Sequence, residues 1–283
     1  MKRLYTLKVI VIFIFLLAVF ENTASDLKKA IWDNDIETIK VLIKKGVDVS
    51  SNLSEIESRD RYTPLQIAIM MKYVEVAKLL INNGVDVNIK DDLGHTAISL
   101  ACSRNLPEIV DLLIKRGANV NEVHSFGERP IHFAAISGSL DIVKLLIKAG
   151  AKINVRDNSG QSPYLSAALG SGTEVIDFFL QNGATLEDKD DRGFNALMIA
   201  SMHDRIETVE YLLEKGMDIN AKDYDDRTPL YHATFQNHTE MAKLLVKKGA
   251  NVTDKNKDGV TPIILAAAND NNALIKLFLK VTA

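Results

Sequence analysis

The chain predicts an all-α solenoid of about eight helix-pair units joined by β-hairpin-like turns, and three observations carry that prediction. Gly84, Gly117, Gly150, Gly183, Gly216 and Gly249 follow one another at intervals of 33 residues. Between them apolar residues recur at helical spacing, as in Ile109-Val110-Leu112-Leu113-Ile114 and Ile142-Val143-Leu145-Leu146-Ile147. A short motif opens each period, most plainly as Thr63-Pro64-Leu65, Thr228-Pro229-Leu230 and Thr261-Pro262-Ile263.

Each element has a physical cause. The threonine places a hydroxyl where it can cap the first helix, and proline fills the first helical position, where no amide hydrogen is needed. Small pairs such as Ala134-Ala135, Ala167-Ala168 and Ala266-Ala267 then let neighbouring helices approach closely. The second helix carries the apolar stripe and ends in basic residues, Lys44-Lys45, Lys115-Arg116 and Lys247-Lys248, which suit the negative end of a helix dipole better than they suit a binding patch. The glycine that follows supplies the left-handed conformation that stops the helix. Turns rich in Asp, Asn and Gly, such as Asp91-Asp92-Leu93-Gly94 and Asp157-Asn158-Ser159-Gly160, reverse the chain into the next unit.

The period and the motif together resemble the ankyrin-repeat family, whose Thr-Pro-Leu-His signature recurs in altered form at Thr96-Ala97-Ile98, Arg129-Pro130-Ile131-His132, Ser162-Pro163-Tyr164 and Asn195-Ala196-Leu197. The resemblance spans essentially all of residues 26–283 and sets units of about 26–57, 58–90, 91–123, 124–156, 157–189, 190–222, 223–255 and 256–283. It implies that His132 bonds between neighbouring hairpins. Gly46 precedes Gly84 by 38 residues, so an extra loop is expected around Ser50 to Glu57. The opening pair is expected over Asp26 to Trp32 and Ile36 to Ile43, and the closing pair over Thr261 to Ala268 and Ala273 to Lys280.

Residues 1–25 read as a signal peptide: Lys2, Arg3 and Lys8 precede an apolar run from Val9 to Phe20, and Thr23-Ala24-Ser25 offers small residues for cleavage after Ala24 or Ser25. The run is too short for the ~30 Å hydrocarbon core, so an uncleaved anchor is the lesser alternative. The expectation is export, to a bacterial periplasm or beyond, without stable membrane insertion. Cleavage removes those three bases and one acid, Glu21, and takes the net charge from −3 to −5. A mildly acidic chain argues against nucleic acid as partner, because phosphate demands a basic face. Cys102, the only cysteine, excludes an internal disulfide and reads as a small buried hydrophobe.

Candidate chemistry is sparse. Asp254, Asn256, Asp258 and Gly259 imitate the first half of a calcium loop, but Leu265 stands where a bidentate glutamate is required, and an interrepeat turn explains the same residues. His95, His124, His203, His232 and His238 show no metal spacing, and no nucleophile motif or phosphate-binding glycine loop occurs. Asn52, Asn237 and Asn251 begin glycosylation sequons, relevant only in a eukaryotic source. No catalytic residue, metal or cofactor is therefore expected, and the chain reads as a non-enzymatic, monomeric module for a protein partner of unknown identity. A secreted effector engaging a host protein is the alternative, with a hydrolase using groove carboxylates behind it.

In the family the resemblance points to, partners lie in the concave groove formed by the hairpin tips and the exposed face of the first helices. The residues at those positions are Tyr62, His95, Phe126, Phe194, Tyr224 and Arg227 on the hairpins, and Met70, Met71, Arg104, Ile136, Leu169, Met202, His203 and Phe235 on the helices. Phe126, Phe194, Tyr224 and Phe235 are expected to be anchors facing water, since large aromatics dominate protein interfaces.

Overall fold

The structure, a computed structural model, describes residues 25–49, 62–170 and 172–282. The signal peptide, apart from Ser25, and the extra loop expected around Ser50 to Glu57 lie outside the described residues. The chain forms two compact units, residues 1–119 and 120–283. Among the described residues the regular structure is helical throughout.

In the first unit α1 (25–32) and α2 (Ile36–Lys44) form the opening pair, followed by α3 (Pro64–Met70) with α4 (Val74–Asn82), and α5 (Ala97–Ser103) with α6 (Pro107–Lys115). The second unit holds five more pairs. They are α7 (Pro130–Ile136) and α8 (Leu140–Lys148), α9 (Pro163–Ala167) and α10 (Thr173–Gln181), α11 (Ala196–Met202) and α12 (Ile206–Glu214), α13 (Pro229–Phe235) and α14 (Thr239–Lys247), and α15 (Pro262–Ala268) and α16 (Asn272–Thr282). In the first unit α3 stacks on α5 and α4 on α6, and in the second α7, α9, α11, α13 and α15 stack in succession with α8 on α10, α10 on α12 and α14 on α16, the solenoid arrangement.

The local causes hold with one amendment. Thr63 and Thr228 accept from the N–H of Gln66 and Tyr231, both at 3.2 Å, and Ser162 and Asn195 cap α9 and α11 in the same way. The hydroxyls of Thr96 and Thr261, in contrast, have no partner among the described residues. At Thr96 the roles are inverted, because Ser99 Oγ accepts the Thr96 N–H and donates to the Thr96 carbonyl. The glycine file lies at positive φ as required, with Gly150 at +92°. The basic helix ends act partly across repeats: Arg116 donates from the end of α6 to the carbonyl of Ile81 at 2.8 Å, satisfying the exposed end of α4.

The hairpins are closed by hydrogen bonds rather than by extended strands. Asp157 N–H donates to the Gln161 carbonyl, while its Oδ1 accepts from the N–H groups of Ser159 and Gln161. Asp91, Asp190, Asp223 and Asn256 repeat this pattern. Asn256 therefore spends its carboxamide oxygen on the turn, which is what the calcium-like spacing of Asp254 to Gly259 encodes here. In the second unit successive hairpins are tied backbone to backbone, as in Asn158 N–H to Phe126 O at 2.9 Å and Tyr224 N–H to Arg192 O at 3.1 Å.

Candidate partner-binding surface

The first-helix ends of the second unit bring Ile136, Leu169, Met202 and Phe235 into one register, each 33 residues from the next. Ile136 and Phe235 are exposed, Leu169 and Met202 half-buried. Phe235 is 58% exposed and stacks on the ring of Tyr231, centroids 6.4 Å apart, so it is held upright by a neighbour one helical turn away. At the hairpin tips Phe126 is 63% and Tyr224 59% exposed. Arg227, half-buried, lies over the Tyr231 ring and pairs with Asp225 at 3.1 Å.

His203 is exposed beside this file, and partial burial together with Arg205 and His238 holds its imidazole below the ordinary histidine range. In the first unit Met71 and Arg104 are exposed, whereas Tyr62, Met70 and His95 are half-buried. His95 Nδ1 stands 2.9 Å from Asp91, within its own hairpin.

Phe194 is a correction. It is not a water-facing anchor: only 5% of it is exposed, its ring meets His232 edge-on at 4.6 Å, and the guanidinium of Arg192 covers it at 4.4 Å. The reason is its place in the repeat. Phe194 follows the tip glycine, on the segment that turns inward toward α11, whereas Phe126 precedes its tip glycine and points away. The same comparison yields a residue the sequence reading missed: Leu93, one period before Phe126 and 47% exposed. The 33-residue register was the signal that marked it.

The described residues contain no group of three or more His, Cys, Asp or Glu side chains placed to hold a metal, and no helix long and apolar enough to cross a membrane. Cys102 is fully buried, and burial pushes its thiol well up, away from the reactive thiolate. His132 stands between hairpins as the resemblance implied: Nδ1 accepts from Arg129 N–H at 3.0 Å and Nε2–H donates to the Gln161 carbonyl at 3.2 Å.

A stack of short helix pairs with tied hairpins and an exposed file of apolar side chains defines a repeat scaffold for protein–protein interaction, a class that is generally non-enzymatic. The profile described as ankyrin repeats (3 copies) matches residues 25–91, 78–157, 131–223 and 223–283, and the chain belongs to the ankyrin-repeat family. An ankyrin repeat protein of Fowlpox virus (strain NVSL) is 41% identical over 69 residues, 24% of this chain and 19% of that protein. One from Rickettsia bellii (strain RML369-C) is 40% identical over 87 residues, 28% of this chain and 12% of its own length. The matched stretches thus span less than a fifth of either relative. Among solved structures, the human ASB11 ankyrin repeat domain superposes with a TM-score of 0.60 at 28% identity, covering 72% of this chain and 91% of that one.

Proposed function

We propose that the chain is an exported scaffold that binds one protein partner on the tip and first-helix face of its second unit. The observation that carries this reading is the exposure of Phe126, Tyr224 and Phe235, each more than half open to solvent at positions the repeat brings to one side of the unit. Aromatic anchors of this kind typically contribute about 2 kcal/mol or more to binding, a factor of about thirty. Export rests on the signal-peptide pattern of residues 1–25.

The test is capture of the partner from the exported fraction, followed by titration against Phe126→Ala, Tyr224→Ala and Phe235→Ala. Each is expected to bind about thirtyfold more weakly, while Lys247→Ala, at a helix end, changes little. Wild-type affinity in all three aromatic variants, with unchanged circular dichroism, sinks the surface assignment. Export is tested separately by N-terminal sequencing, which should begin near Asp26; mature protein that retains Lys2 refutes cleavage.

A further inference from the structure

The loops that follow successive second helices are joined by an asparagine ladder. Asn88 donates through Nδ2 to the Gly117 carbonyl at 3.2 Å and accepts through Oδ1 from the Asn119 N–H at 2.9 Å. Asn121, one period later, does the same with the Gly150 carbonyl and the Lys152 N–H, both at 2.9 Å. A carbonyl and the N–H two residues on therefore form a matched acceptor and donor that reads a primary carboxamide, whose geometry answers both at once. Asn220 keeps half of the pattern, accepting from Asn251 N–H at 2.8 Å.

At Asn154 the ladder breaks. This asparagine is exposed and makes neither bond, so the Gly183 carbonyl and the Thr185 N–H, both on exposed residues, have no protein hydrogen-bond partner among the described residues and face the cleft and solvent. A cleft of about 360 Å³ opens at this place, and Asn154, Gly183 and Thr185 all line it. Its apolar lining combines the half-buried Ile153, Val155 and Ala184 with the buried Pro163, Tyr164 and Phe179. Arg156 and Ser162 both bond to Asp188 on the remaining side, which leaves that wall without unpaired charge.

Tyr164 supplies a second, independent sign. Its slot holds Leu65, Ile98, Ile131, Leu197, Leu230 or Ile263 in the other repeats, all hydrocarbon. Here it carries a hydroxyl that is enclosed, 2% of the residue being exposed, and has no partner among the described residues. Burial, and Asp188 nearby, push this phenol up and keep it neutral. A buried polar atom without a partner is rare in native structures and calls for an explanation.

We propose that this cleft is a binding site for a small, neutral aromatic primary carboxamide, its amide read by Gly183 and Thr185 and its ring held against the apolar part of the lining. The ligand amide takes the place that the protein's own asparagine takes in the neighbouring repeats. The size falls at the small end of the ~300–1,000 Å³ typical of ligand sites, which suits one or two rings rather than a peptide.

Benzamide is the probe, titrated into the ¹⁵N-labelled full chain while amide resonances are followed by NMR. A saturable shift centred on Thr185 and its cleft neighbours is expected. N,N-dimethylbenzamide cannot donate to the Gly183 carbonyl and should bind at least tenfold more weakly. Asn154→Ala, which removes a side chain that bonds to neither group, should bind benzamide at least as tightly as wild type, and Tyr164→Leu, restoring the hydrocarbon of the other repeats, at least tenfold more weakly with its fold retained by circular dichroism. The proposal is overturned by no saturable shift at Thr185, by equal affinity for the two amides, by loss of binding in Asn154→Ala, or by wild-type affinity in Tyr164→Leu. N-acetylglutamine methylamide, a carboxamide without a ring, should bind more weakly than benzamide; tighter binding would overturn the small-molecule assignment.

Discussion

The imidazole of His132 takes the backbone N–H of Arg129 on one nitrogen and gives a proton to the carbonyl of Gln161 with the other, at 3.2 Å, so one neutral ring both caps its own helix and ties it to the next hairpin. Two periods earlier Gln66 makes the same pair of bonds, accepting from Thr63 N–H and donating to the His95 carbonyl. A carboxamide and a neutral imidazole are interchangeable here because each offers one acceptor and one donor on opposite sides.

His132→Gln therefore keeps the stability of the wild type near pH 7.5 and removes a pH dependence. Burial holds the folded imidazole below the ordinary value of about 6.5, so the unfolded chain takes up the proton first. The His132 contribution is complete above that value and is lost as pH falls through the lower folded one. Urea denaturation midpoints at pH 7.5 and 5 should fall further in the wild type than in His132→Gln; parallel falls would show that His132 does not set this limb.

Asp223 gives a second pH handle. Burial alone would raise its carboxyl, but the hydrogen bond from His232 Nε2, at 3.0 Å, and the N–H groups of Arg227 and Asp225 outweigh it and hold the group below the usual carboxylate value. Its contribution is present above about pH 3.9 and lost as pH falls through the lowered value. Asp223→Asn retains the turn through its one oxygen, as Asn256 does one period on, and places an amide nitrogen where Oδ2 accepts from His232, so that charge-assisted bond is lost. The expected cost is about 1–2 kcal/mol at pH 7, shrinking below pH 4. A cost that stays constant down to pH 3 in denaturant titrations contradicts the assignment.

Two glycines at similar φ should respond differently to alanine. Gly150, at +92°, has open space where a Cβ would stand, so Gly150→Ala meets only the conformational penalty, about 1 kcal/mol. A Cβ at Gly127, at +85°, would lie 2.6 Å from the backbone nitrogen of Asn158 and disturb its bond to Phe126 O. Gly127→Ala is expected to cost more, by thermal or urea unfolding; equal losses would mean that the hairpin yields freely.

Phe194 and Phe126 separate stability from binding. Phe194→Ala empties a buried site and should cost ~3–5 kcal/mol. Phe126→Ala, on an exposed side chain, should stay within about 0.5 kcal/mol of wild type. If unfolding showed the reverse order, the burial difference between the two phenylalanines would be wrong.

The sequence alone fixes the period, the helix order and the family, because these follow from local chemistry repeated at constant spacing: a capping residue before proline, an apolar stripe, and a glycine where the helix must stop. Thr63, Pro64 and Gly84 act on residues within a turn or two, and a linear pattern records such effects fully. Which side chains meet across a repeat boundary is another matter. Phe126 and Phe194 are both aromatic residues in hairpins, and only packing against Arg192 and His232 buries the second. Asn88, Asn121 and Asn154 occupy the same register, yet the third leaves its ladder and a cleft opens beside Tyr164. Contacts of this kind join residues about thirty positions apart, and their formation depends on small displacements between stacked loops that only the tertiary structure decides.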